Sequence, residues 1–112
     1  MRVIHKNEGT KIPYAIAGNK ICFDDDLTIN LAKREEDWDV HIDICFGEDN
    51  ELVIGAAAGR RYVAEIDIPK RSYAEVEAVE EEKTEAPEEP KTTAQPVPFD
   101  IDNATLTLWA IE

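Results

Sequence analysis

The stretch DWDVHIDICF, residues 37–46, holds the side chains of this 112-residue chain whose types and spacing could do chemistry. Read as a β-strand, it presents Asp37, Asp39, His41, Asp43 and Cys45 on one face. Alternate strand residues lie about 6.6–6.8 Å apart, so His41 has Asp39 and Asp43 as flanking neighbours. Either carboxylate could stabilise an imidazolium or orient a neutral ring. The row is therefore a candidate acid–base or metal site.

A metal ion on this row would need further ligands from an adjacent strand, because Zn²⁺ usually takes three or four. His5 is the only other histidine, and the sequence does not reveal whether it neighbours His41. Cys45 is about 13 Å from His41 along the strand, too far for a cysteine–histidine nucleophile pair. The simpler interpretation is a solvent-facing row, in which three aspartates also discourage edge-to-edge aggregation. We prefer it, with the opposite row buried: Trp38, Val40, Ile42, Ile44 and Phe46.

Other motifs are weaker. Asp24, Asp25 and Asp26 are consecutive and lack the alternating frame of a calcium-binding EF-hand loop, so they predict a turn. The GAAAG segment, residues 55–59, lacks the GK[ST] ending of a phosphate-binding loop. The single serine, Ser72, has no histidine near it in sequence. We therefore predict a protein that is not an enzyme, with no catalytic, cofactor-binding or metal-binding residues.

The elements that would carry these residues are β-strands. Hydrophobic residues alternate in LTINLA (27–32) and in RYVAEIDI (61–68), and Gly18-Asn19 is typical of a hairpin turn. Pro13 lacks a backbone donor, which places the start of the strand that follows it at an edge or rim of a sheet. The predicted fold class is all-β, with about seven or eight short, mainly antiparallel strands in a small barrel or sandwich.

Composition divides the chain into three parts. Residues 1–71 form the predicted β body, and residues 72–98, rich in Glu and Pro, form a predicted disordered acidic linker. Residues 99–112 contain TLTLWAIE and are predicted to fold back as the last strand of the same domain, or to pair with another subunit. Trp109, with Leu108 and Ile111, is the predicted interaction surface.

Charge excludes one class of function. Residues 1–74 carry 10 basic and 14 acidic side chains, residues 75–98 carry 2 and 8, and residues 99–112 carry 0 and 3, giving net charges of −4, −6 and −3. With no basic patch, binding to nucleic acid is not expected. No apolar run approaches the roughly 20 residues of a membrane span, and no secretory signal is recognisable at the N-terminus. Cys22 and Cys45 are expected to be free thiols in a cytoplasm.

Three segments, residues 23–44, 60–73 and 97–112, together resemble small uncharacterised proteins encoded in bacterial prophages. In these a compact β body is followed by a variable linker and a terminal T-L-T-L-W segment. The resemblance covers most of the chain apart from the linker. It implies a virion-associated or assembly role, and it supplies no catalytic residues.

The predicted function is thus that of a non-enzymatic structural or interaction protein, located in the cytoplasm or in a virion. It would act through a protein partner or self-association, without a cofactor or a small-molecule substrate. Two alternatives stay open. One is an acidic decoy that occupies a DNA-binding protein, and the other is a metal-binding protein or enzyme that uses His5, His41 and the neighbouring aspartates.

Overall fold

The computed structural model describes residues 1–56, 61–77 and 92–112, in which the chain forms ten strands and two short 3-10 helices. The strands are β1 (Arg2–His5), β2 (Tyr14–Ala17), β3 (Lys20–Phe23), β4 (Leu27–Asn30), β5 (Val40–Phe46), β6 (Leu52–Ile54), β7 (Arg61–Ile68), β8 (Tyr73–Glu77), β9 (Thr92–Pro96) and β10 (Thr105–Leu108). The 3-10 helices span Ala32–Arg34 and Ile101–Asn103. Nowhere in these ranges is there a helix long and apolar enough to cross a membrane.

The strands form three sheets, so the predicted all-β class is confirmed. A five-stranded sheet has the order β1-β10-β7-β5-β6, a three-stranded sheet has the order β2-β3-β4, and β8 and β9 form a two-stranded ribbon. None of the three closes into a barrel, and the arrangement is sandwich-like. The two strands beyond the predicted seven or eight belong to the ribbon.

One hydrophobic core joins the two larger sheets. It draws on the inner faces of β3 and β4 in one sheet and of β5, β7 and β10 in the other, as face-to-face packing of sheets requires. Its buried members are Ile12, Ile21, Phe23, Ile29, Leu31, Ile42, Ile44, Val63, Ala64, Ile66, Ile68, Ala104, Leu106 and Leu108. The outer face of the five-stranded sheet carries both polar and aromatic side chains.

Two predicted turns are confirmed. Gly18, with φ +61°, and Asn19 join β2 to β3 in a two-residue hairpin loop. Asp24 and Asp25 have φ of 52° and 53° in the turn between β3 and β4, a region that aspartate tolerates better than most residues. β2, which follows Pro13, is an edge strand, as the missing backbone donor predicted.

The C-terminal strand pairs with two strands of the same chain. β10 lies between β1, to which it is parallel, and β7, to which it is antiparallel. Leu106 and Leu108 are buried in the core, whereas Thr105 and Thr107 are half-buried on the opposite face.

The ends of the predicted linker, residues 72–98, are strands. Tyr73–Glu77 pairs antiparallel with Thr92–Pro96, and the amide of Val97 donates to the carbonyl of Ser72 at 2.8 Å. Tyr, Val and Thr at these ends favour strands, although glutamate and proline dominate the segment as a whole. The remainder of the predicted linker, residues 78–91, lies outside the described residues.

Candidate functional site

His41 lies between two carboxylates on the outer face of the five-stranded sheet. Its Nδ1 is 2.6 Å from Asp67 Oδ1, and its Nε2 is 2.7 Å from Asp43 Oδ1. Asp43 is two residues along β5, and Asp67 is the cross-strand partner of His41 on β7. Direct cross-strand neighbours share a face, which explains why the sheet brings these side chains together.

Glu65 completes the group from β7. It is the cross-strand partner of Asp43, and its Oε1 is 3.4 Å from His41 Nε2. Its other oxygen, Oε2, accepts a hydrogen bond from Trp109 Nε1 at 2.7 Å. The Trp109 ring stacks on Tyr62, with centroids 5.2 Å apart and planes 21° from parallel. The indole therefore holds Glu65 with Oε1 on the side of His41.

The carboxylates determine the charge of the imidazole. The hydrogen bond to Asp67 is the largest influence and raises the pKa of His41 above 6.5. Desolvation opposes this effect, while the hydrogen bond to Asp43 and the charges of both aspartates add to it. As an imidazolium, His41 donates to Asp67 and Asp43 at once. As a neutral ring, it could donate only one of these hydrogen bonds, for example from Nδ1–H to Asp67, and the Nε2 lone pair would then face the oxygens of Asp43 and Glu65 without a proton between them.

His41, Asp43 and Glu65 can each offer one ligand atom to a metal ion, a ring nitrogen or a carboxylate oxygen. These three atoms lie within 4.8 Å of one another. Imidazole nitrogen and carboxylate oxygen are both common ligands of divalent metal ions. A solvent-open depression of about 310 Å³ adjoins His41 and Asp67. Its other lining residues are Asp39, Val40, Ile68, Pro69, Asn103 and Thr105.

The remaining members of the predicted row have other partners. Asp37 accepts hydrogen bonds from Arg71 at 3.1 Å and from the Tyr73 hydroxyl at 2.5 Å, at the start of the ribbon. Asp39 accepts from the backbone amide of Lys70 at 2.9 Å. Both precede β5, which begins at Val40, so the predicted row is shorter than the alternation suggested. Trp38, predicted to be buried, also precedes β5 and is 62% exposed.

A β-bulge changes the register beyond Ile44. Cys45 pairs with Tyr62, whereas Ile44 pairs with Ala64, so Val63 is an extra residue on β7. Val63 therefore joins Ala64 in the core, and Tyr62 lies on the face of Glu65, contrary to the predicted alternation of β7. Cys45 is 2% exposed, and burial first, then the charges of Asp43 and Glu65, raise its pKa. A thiol kept neutral in this way is a poor nucleophile.

His5 is not near His41. It lies on β1 and pairs with Leu108, and the sheet order puts β10 and β7 between β1 and β5. Three interstrand steps correspond to about 14 Å, before the offset along the strands is added. The alternative site that combined His5 with His41 is therefore not formed, because the sheet places the two histidines on non-adjacent strands. Cys22 and Cys45 lie in different sheets and are both free thiols, as predicted.

The predicted interaction surface is divided. Leu108 is 2% exposed and belongs to the core, so it is not on the surface of the folded chain. Ile111 is half-buried against the core, and its amide donates to the Thr10 carbonyl at 2.8 Å. Trp109 is half-buried on the outer face, where it supports Glu65.

Sequence reasoning identified His41 and Asp43 but missed Glu65 and Asp67 as their partners. The acidic alternation of AEID on β7 was visible. It placed Glu65 and Asp67 on one face of β7, but it did not show which strand lies beside them. The register that brings Glu65 opposite Asp43 was not readable, because it depends on long-range pairing.

Comparison with known protein families, curated proteins and solved structures found no match for this chain.

Proposed function

We propose that this chain is a non-enzymatic interaction protein that binds an extended segment of a protein partner along the free edge of β2. The observation that carries the proposal is the exposure of that edge. All four residues of β2, with the sequence YAIA, are exposed, and none of them is charged. Edge strands usually carry charges or are covered, because a bare apolar edge invites another strand.

The apolar face of β2 continues the core. Tyr14 pairs with Phe23, and Ile16 pairs with Ile21. Both partners on β3 are fully buried, yet Tyr14 is 37% exposed and Ile16 is 42% exposed. The core therefore covers the inner face of the three-stranded sheet at β3 but leaves the same face exposed at β2. One further strand would bury these two side chains.

The backbone of β2 is also free to accept such a strand. In an antiparallel pair, hydrogen-bonded and non-hydrogen-bonded residues alternate. The Asp24 amide donates to the Pro13 carbonyl at 2.8 Å, which places Ala15 and Ala17 among the residues bonded to β3. The backbone groups of Tyr14 and Ile16 therefore face away from the sheet, and no strand in the described ranges pairs with them. Main-chain hydrogen bonds would supply affinity, and the two apolar side chains would supply specificity.

The prophage resemblance of residues 23–44, 60–73 and 97–112 supports a partner within a phage particle or its assembly line. Capsid or tail genes beside the coding sequence would support this context, and a metabolic operon would contradict it. The acidic decoy stays a prediction that no feature of the described residues favours.

The test compares the wild-type chain with Ile16→Lys, which places a charge on the edge. Val97→Lys is the matched control, because Val97 is 39% exposed but lies outside the edge strand. Selection from a library of displayed random peptides measures partner binding, and sedimentation velocity measures self-association. We expect Ile16→Lys to weaken the selected interaction by about tenfold or more, equivalent to roughly 1.4 kcal/mol.

The control should bind like the wild type. Circular dichroism and urea unfolding verify that both variants fold. If the wild type selects no peptide and stays monomeric at its highest attainable concentration, the proposal is wrong. It is equally wrong if Ile16→Lys and Val97→Lys bind alike.

A further inference from the structure

We propose that His41, Asp43 and Glu65 bind a divalent metal ion, with Zn²⁺ as the ion that the donor set fits best. This inference is independent of the proposed edge interaction, because β2 belongs to the other sheet. Three protein ligands with one open position make a common zinc arrangement, and imidazole nitrogen with carboxylate oxygen is a frequent ligand combination.

The separations of the ligand atoms suit a small ion. His41 Nε2 lies 2.7 Å from Asp43 Oδ1 and 3.4 Å from Glu65 Oε1. Ligands about 2.0–2.2 Å from a tetrahedral zinc lie roughly 3.3–3.6 Å from one another. A small rotation of Asp43 away from the ring would therefore admit the ion. Asp43 and Glu65 are each only about a fifth exposed, so their carboxylates are partly withdrawn from water.

Outer partners already hold two of the three ligands. Asp67 faces Nδ1 of His41 at 2.6 Å, which leaves Nε2 for the metal. Metal-bound imidazoles in proteins almost always donate their other ring N–H to a carboxylate, a backbone carbonyl or water, and Asp67 supplies a carboxylate here. Trp109, from the segment that follows β10, donates to Glu65 Oε2 and leaves Oε1 directed at His41. The tryptophan is not part of the acidic group, and its hydrogen bond serves to fix one carboxylate oxygen.

The rigidity of the two strands and the negative charge of the group both favour metal binding. Two adjacent strands, β5 and β7, carry all three ligands, and the buried core behind Ile42 and Ile66 keeps these strands in place. Asp43, Glu65 and Asp67 contribute three negative charges, against one imidazole that is at most singly positive. A divalent ion with a neutral imidazole leaves the group with a net charge of −1, compared with −2 for the imidazolium alone. The net negative charge that remains within this group favours a cation.

The test uses the full chain without an affinity tag, stripped of metal by chelation, and titrated with ZnCl₂ in a calorimeter. Histidine nitrogen NMR identifies the ring atom that binds. We expect one saturable site per chain and a change in the Nε2 signal of His41. Glu65→Gln retains the size of the side chain, and His41→Asn removes the nitrogen ligand. Each variant should weaken zinc binding by about tenfold or more, since even outer partners are worth about 10–100-fold.

Two variants serve as controls. Glu75→Gln removes the same charge from the exposed ribbon, and His5→Asn removes the other imidazole. Both should bind zinc within about twofold of the wild type, and Asp43→Asn provides a second ligand variant if Glu65→Gln fails to fold. If zinc does not bind the folded wild type saturably, the proposal is wrong. His41 and the carboxylates around it would then form only a network of ion pairs. Equal affinities for Glu65→Gln and Glu75→Gln, or a metal-induced change at His5 alone, would overturn it as well.

Discussion

Replacing Leu106 by alanine tests whether β10 is an interior strand of its own chain. Leu106 is fully buried and lies between Val3 of β1 and Ile66 of β7. Removing a buried leucine side chain costs about 2–5 kcal/mol, and more where the surroundings cannot collapse into the space. Strands on both sides restrict such collapse here, so we expect a loss of about 3–4 kcal/mol. A domain of this size is stable by on the order of 5–10 kcal/mol, so the loss is a large fraction of the total.

Urea unfolding followed by tryptophan fluorescence and by circular dichroism measures this change. At about 4–8 °C per kcal/mol, the melting temperature should fall by roughly 12–32 °C. Thr107→Ala is the matched control on the same strand, because Thr107 is half-buried on the opposite face and should cost at most about 1 kcal/mol. Pairing within one chain also requires that the urea midpoint be independent of protein concentration. Equal losses for the two variants, or a midpoint that rises with concentration, would refute the placement of β10.

Three further predictions concern the outer face and the N-terminal loop. The raised pKa of His41 means that its imidazolium contributes stability fully below pH 6.5, and that this contribution is lost as pH rises through the folded-state value. NMR titration of metal-free protein should show this pKa falling toward 6.5 in Asp67→Asn, and an unchanged value would contradict the geometry. Trp109→Phe should retain stacking but lose the hydrogen bond to its carboxylate partner, at a cost of about 1 kcal/mol or more in urea unfolding. A stability equal to that of the wild type would contradict the predicted contribution of this hydrogen bond. Gly9 and Gly18 both have positive φ, but only at Gly9 would a Cβ atom meet backbone and side-chain atoms of the C-terminal segment, at 2.8–2.9 Å. Gly18→Ala should therefore cost about 1–2 kcal/mol, and Gly9→Ala at least about 1 kcal/mol more. A larger loss of stability for Gly18→Ala than for Gly9→Ala would disprove the close approach of the C-terminal segment to Gly9.

Local patterns were sufficient to predict the strands with strong alternation. Ile42 and Ile44 are buried and His41 faces solvent, as the period of two in β5 requires. Gly18-Asn19 predicted its hairpin correctly for a similar reason, since the preference of these residue types depends on backbone angles within the turn itself. The fold class follows from information of this kind.

Long-range pairing was beyond sequence reasoning. The bulge that turns Tyr62 outward arises between two strands that are far apart in sequence, and neither strand shows it alone. The same strand order brings Glu65 next to His41 and keeps His41 away from His5. Trp38 was misplaced because alternation does not reveal where a strand begins. The candidate site could thus be located on β5, but its partners could not be identified.

The parallel pairing of β1 with β10 constrains how the protein can fold during translation. β1 is complete at His5, but its only partner strand among the described residues begins at Thr105. At about 5–20 residues per second, a ribosome adds the roughly one hundred residues between them in about 5–20 s. Throughout that interval Val3 and Ile4 lack the one strand that pairs with β1 in the described parts of the chain. Trp109, which donates a hydrogen bond to Glu65, is synthesised later still. The nascent chain could therefore pair β5 with β7 well before this hydrogen bond can form.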